Sequence, residues 1–288
     1  MMLLDLQLLP GYLLFIAGIL LCFFRAVKVG WIILIIAYAL AFFNGNITII
    51  GIFLLTLEAV LLLLVGKYAS GWKRIITHLA VFVLSILLFK HQLPGFHNVV
   101  IFDDIKFTPD AAPFTMYFNL DKTFAGFSIF TFLLKIGYIG KYDIGKIAKA
   151  IVIPLVMIII LCIFTAWALH FVAWEPKLLL NYLWIWTLHN LLLIAVPEEV
   201  LFRGYLQGYV GNIVFMKQLY YLSLIISAMI FAVIHTTGGW PLMLMAFIAG
   251  FGYGVAYHKG GIMASVFMHF CFNLIHFLLF TYPMLCKS

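Results

Sequence analysis

The chain has 288 residues, of which 66% are hydrophobic and only 9% charged, with a mean hydropathy of +1.17. So few charges cannot cover a water-facing surface, which excludes an ordinary soluble domain and makes a lipid bilayer the natural solvent. The net charge of +7 comes without a basic patch interleaved with aromatic residues. That sets nucleic acid aside and points to membrane topology and contact with anionic lipid.

A bilayer core of about 30 Å needs roughly 20 apolar residues per helix. Ten candidate spans follow in chain order: 9–24, 30–43, 47–66, 75–90, 124–139, 148–171, 181–210, 219–235, 241–257 and 261–281. Several are short, so the expected fold is an all-α polytopic bundle of eight to ten transmembrane helices. Period-two alternation is too rare for a membrane β-barrel. Asp5 precedes the first run and Arg25 and Lys28 follow it, the reverse of a secretory leader, so this run is expected to stay as a span. With ten spans and the N-terminus outside, the inner loops carry Arg25, Lys28, Lys67, Lys73, Arg74, Lys135, Lys141, Lys146, Lys149, Lys217 and Lys259. The outer side keeps Lys90, Lys106, Lys122, Lys177 and Lys287 with most of the acids, Asp5, Asp103, Asp104, Asp110, Asp121 and Glu175, as the positive-inside rule requires.

Residues 1–90 read as a four-span module in which Glu58 is the one ionisable group at mid-span. With no partner visible in sequence, Glu58 reads as a neutral acid or an interfacial one. Residues 91–123 hold much of the Pro and Asp and read as an extramembrane loop, with a short strand at "NVVIF". Residues 124–288 form the third segment, a transmembrane core. The four cysteines, Cys22, Cys162, Cys271 and Cys286, are scattered and read as packing residues. Ala246, Gly250 and Gly254 recur every fourth residue, with Gly252 between the last two, a pattern that suits close helix crossing in lipid.

The chemistry concentrates in the last third. In "PEEVLFRG" (197–204) a helix places Glu199 and Arg203 one above the other, so they can pair. Glu198 lies about 100° round the helix and is left over. A carboxylate beside a fixed ion pair, out of water, is what a general base needs. A charge network that merely locks helices together explains the pair but not Glu198. Pro197 can open the backbone ladder there and admit water. In "FAVIHTTGGW" (231–240), Phe231 and His235 share a face. In "HFCFNLIH" (269–276), His269, Asn273 and His276 form a polar stripe on an apolar helix. Imidazole and amide groups can hold a water or donate to a developing oxyanion.

"EEVLFRG", "FAVIH" and "HFCFN" resemble the EExxxR, FxxxH and HxxxN motifs of the CAAX-protease and bacteriocin-processing (CPBP, or Abi) family, in the same order and on consecutive membrane segments. The resemblance covers residues 180–280, and the preceding helices fit as support. It implies a glutamic intramembrane endopeptidase that cuts a protein near its C-terminal or membrane-anchored end. Glu198 then activates water with His235, His269 and Asn273 hold the oxyanion, Glu199 and Arg203 support the site, and His276 packs. No cofactor is implied.

A zinc metalloprotease using Glu198, His235 and His269 is the rival enzyme reading, although H-E-x-x-H is absent. A non-catalytic membrane scaffold is the rival from another class. The substrate would be a membrane-associated protein or peptide: a prenylated C-terminus, a bacteriocin leader or a C-terminal sorting tail. The added N-terminal spans favour the last, in a prokaryotic cytoplasmic (inner) membrane. One tension follows from a rise of about 1.5 Å per residue. His235 counts toward the outer end of a span that begins near Lys217, while Glu198 and His269 count nearer the inner side. Either that helix starts later, near Ser223, or it tilts.

Overall fold

The computed structural model describes residues 9–67, 71–214 and 220–286. Asp5, Lys217 and Lys287, which the topology reading uses, lie outside these described residues. Every apolar run becomes a helix. They are α1 (Leu9–Phe23), α2 (Val27–Phe43), α3 (Ile49–Lys67), α4 (Trp72–Phe89), α5 (Leu120–Lys135), α6 (Ile144–Ala168), α7 (Leu180–Val210), α8 (Tyr220–Val233), α9 (Gly239–Gly260) and α10 (Ile262–Leu279). The "NVVIF" strand appears as β1 (Val99–Ile105), paired with β2 (Phe114–Phe118) in the one small sheet among the described residues. The protein is thus mainly helical, as its composition requires. Six described helices, α3, α4, α6, α7, α9 and α10, are long and apolar enough to cross a bilayer. Helices α1, α2 and α8 are apolar but shorter, so length and composition alone do not reach eight spans.

The chain divides into two compact units. The first comprises residues 1–103 and 115–135, the second 104–114 and 136–288. In the first unit α1 packs on α2, and α3 on α4 and α5. Glu58 on α3 is fully buried, and its Oε1 lies 2.7 Å from Ser85 Oγ on α4. Ser85 Oγ is also 2.7 Å from the Val81 carbonyl oxygen. A hydroxyl has one hydrogen and a carbonyl has none. A neutral Glu58 that brings a proton of its own to Ser85 lets the hydroxyl hydrogen go wholly to Val81 O. At the start of α5, buried Asp121 accepts from His91 Nδ1 at 2.8 Å and from Asn98 Nδ2 at 3.1 Å, which secures the loop that precedes the sheet.

In the second unit α9 is central, packed on α6, α8 and α10. Burial separates the helices by role. In their most apolar stretches α7 is 78% buried and α6 only 22%, so α7 is an interior helix and α6 a lipid-facing one. The end of this unit at which α7 begins and α10 stops is closed by three irregular segments. Thr281 N–H donates to Ala173 O, Glu175 N–H to Leu279 O, Ala112 N–H to Met284 O, and Thr108 Oγ1 to Glu175 Oε2. Phe107 enters the same cap, its ring meeting Phe114, Tyr182, Phe277 and Tyr282. His276 Nε2 donates to Thr281 O at 3.2 Å, so this imidazole serves the cap.

Candidate active site

The site is built on α7, which does not keep one helical form. Asn190–Ala195 and Val200–Val210 are π-helical, and four α-helical residues, Val196–Glu199, lie between them. Proline at 197 has no N–H to give and its ring crowds the carbonyl four residues back. The wide turn relieves both, because around it the N–H bonds reach five residues back, as Val196 N–H does to Leu191 O. The ladder before Pro197 is thus shifted by one residue at Val196.

Below Pro197 the polar residues of α7 form a column. Glu199, Arg203 and Gln207 recur every fourth residue, and each is at most 1% exposed. Arg203 Nη1 donates to Glu199 Oε1 at 2.9 Å, and Nη2 donates to the Gly250 carbonyl of α9 at 3.0 Å. Gln207 Nε2 donates to the Gly254 carbonyl at 3.1 Å and to Tyr220 Oη at 2.7 Å. The glycines make this possible. A Cβ on Gly250 would stand 3.0 Å from Arg203 Nη2, and one on Gly254 only 2.7 Å from Gln207 Oε1. The small-residue stripe of α9 thus does more than let helices cross, because it bares two carbonyls for side chains of α7.

Glu199 Oε1 also accepts from His269 Nδ1 on α10, at 2.9 Å. One carboxylate oxygen therefore joins α7, through Arg203, to α10. Tyr253 of α9 stacks on the His269 ring, with centroids 4.6 Å apart and planes 13° apart. The Arg203 guanidinium lies 4.4 Å from the Phe231 ring centre and 5.3 Å from that of Tyr253. Such faces hold a desolvated cation by roughly 2 kcal/mol. Phe231 touches nearly everything: its ring also meets His269 edge-on at 6.1 Å and His235 at 4.6 Å. The phenylalanine of the FxxxH motif is the packing centre of the site.

His235 follows the end of α8, where its Nδ1 lies 2.7 Å from Phe231 O. A carbonyl only accepts, so Nδ1 carries the hydrogen and Nε2 carries the lone pair. The tension over depth resolves here. Helix α8 has 14 residues, about 21 Å, and the chain turns at Thr236–Gly238 just after it. From the Arg203–Phe231 contact, Glu199 is one turn along α7 and His235 one turn along α8, both toward the capped end. The two groups therefore lie at a common level. Glu198, next to Glu199, is 7% exposed.

Asn273 is one turn beyond His269 on α10, and its Nδ2 donates to Asn190 Oδ1 at 3.3 Å. Asn190 is buried in the first π-helical segment and is absent from the motif reading, as is Tyr253. A polar residue eight positions before Glu198 in an apolar run was the available signal for the first. No signal marked the second. Among the described residues no three His, Cys, Asp or Glu side chains converge as a metal-ligand group.

A model of Rce1-like type II CAAX prenyl endopeptidases matches residues 179–275. That stretch is similar to an Rce1-like domain. No curated protein and no solved structure matches the chain. The Rce1-like domain spans α7 through most of α10 and so holds all three motifs. It is consistent with the CAAX-protease and bacteriocin-processing family and supports an integral membrane protein of a protease family.

Proposed function

We propose that this chain is a glutamic intramembrane endopeptidase that hydrolyses a peptide bond in a membrane-anchored protein. The observation that carries the reading is the division of the two acids. Glu199 Oε1 is committed to Arg203 and His269, so it acts as a structural carboxylate. Glu198 is the second buried acid and the one suited to take a proton from water. His235, with its Nε2 lone pair at the same level, holds that water.

His269 and Asn273 face the carbonyl oxygen of the scissile bond. With Nδ1 on Glu199, His269 can donate through Nε2 only as an imidazolium. Donors fixed in advance where negative charge develops are the largest single source of rate enhancement in such hydrolyses. Helices α1, α2 and α8 complete the membrane bundle in this reading and bring the spans to nine.

The test uses purified protein in detergent and a panel of lipidated C-terminal peptides. Glu198→Gln should abolish cleavage and co-purify with intact substrate, whereas a Glu198→Gln variant that cuts at the normal rate ends this reading. Chelation separates the zinc alternative, because activity lost to a chelator and restored by zinc would assign the same residues to a metal. A scaffold would leave every peptide uncut.

A further inference from the structure

At the end of the second unit opposite its cap lies a cavity of about 560 Å³. It is lined where α7 finishes, α8 starts, α9 ends and α6 and α10 begin, and it meets the polar column of α7 only at Gln207. Its size is that of a small-ligand site, and about half of its lining is polar. Lys141 and Lys146 supply two cations, and His258 a third titratable nitrogen. The one acid, Asp143, is engaged by the backbone: its Oδ1 accepts from Lys146 N–H at 3.0 Å and caps α6. The Tyr138 hydroxyl, which accepts from Tyr257, adds a donor. Helix α10 begins at the wall with Gly261, which offers no side-chain cap. Its first N–H groups and dipole therefore favour an anion.

Two sources could supply a phosphate-bearing anion, free solute or lipid. The neighbouring surface decides between them. Helix α6 starts at the cavity, and farther along it Ile153, Met157 and Ile160, at spacings of four and three, share one face and are each more than half exposed. An apolar rail leading away from a cationic pocket, at the end of a membrane helix, has the two-part shape of a phospholipid.

We propose that this cavity binds the headgroup of an anionic phospholipid whose acyl chains lie along α6. The full-length protein in neutral detergent is titrated with short-chain phosphatidylglycerol, phosphatidylcholine of equal chain length, and inorganic phosphate, following the unfolding midpoint. Only phosphatidylglycerol should raise it. A lysine near an anionic lipid is worth about fivefold in affinity, so the K141Q/K146Q variant should bind roughly 30-fold more weakly. The charge-matched K67Q/K106Q variant, altered outside the cavity lining and off α6, should bind as the parent does. Both cavity lysines are exposed, and if the double variant does not fold, the single variants carry the test at about fivefold each. Equal weakening in both double variants, equal protection by phosphatidylcholine, or equal protection by phosphate would each overturn the proposal.

Discussion

If Glu199 and Arg203 act as one unit, removing both should hurt far less than removing either. Both side chains are fully buried and 2.9 Å apart. In Glu199→Met the guanidinium keeps only the Gly250 carbonyl and its aromatic faces. In Arg203→Met the carboxylate keeps only His269. Breaking a buried pair from one side costs about 3–5 kcal/mol. Separated helices in a membrane find substitute partners, so the lower end, about 3 kcal/mol each, is expected. If the losses added, the double variant would lose about 6 kcal/mol. Replacing the pair by two methionines instead leaves one stranded donor, His269 Nδ1–H, at about 1–3 kcal/mol. The predicted coupling is therefore at least about 3 kcal/mol. Unfolding of the four proteins in mixed micelles, followed across a denaturing-detergent titration, measures it. A double variant that loses the sum of the singles would refute the unit and leave Glu199 as an independent acid.

Three further outcomes are expected. Gly250→Ala forces a Cβ to within 3.0 Å of Arg203 Nη2 and 3.1 Å of Phe231; it should cost about 1–3 kcal/mol and lower cleavage through a displaced His269, read by melting and by turnover. Asn273→Ala should depress kcat about 100- to 1,000-fold with KM little changed, and a raised KM at constant kcat would make Asn273 a substrate-binding group instead. In the first unit, Glu58→Gln should hold stability because an amide N–H can replace the carboxyl proton toward Ser85, while Ser85→Ala should lose about 1–3 kcal/mol. Equal losses in that pair of melts would count against a neutral Glu58.

The helices were legible because burial in lipid writes one signal, an apolar run, ten times over. The Glu199–Arg203 pair was legible because both residues share one helix and pair at a spacing of four. What sequence could not show depends on several helices at once. Asn190 meets Asn273 only because the π-helical turns of α7 rotate it into place, and no propensity marks such turns. Tyr253 looks like any aromatic in a glycine-rich span until His269 is laid on its ring. The glycines of α9 suggested close packing, but sequence could not say which polar atoms would use the gap.

The two carbonyls that meet Arg203 and Gln207 also fix how far α7 can slide along α9. The donors and their acceptors both repeat every fourth residue, so the only competing alignments are whole turns, about 5.4 Å. A slip one way would bring Arg203 to Gly254 and Gln207 against His258, whose ring already lies 4.0 Å from that of Tyr220. The opposite slip would give Gln207 the carbonyl of Gly250 and press Arg203 on Ala246, where a methyl group stands in the way. Two apolar helices in lipid have little else to choose one alignment over another. Here the glycine spacing works as a key with two teeth, and the bundle closes in the single alignment that brings Glu199 within reach of His269.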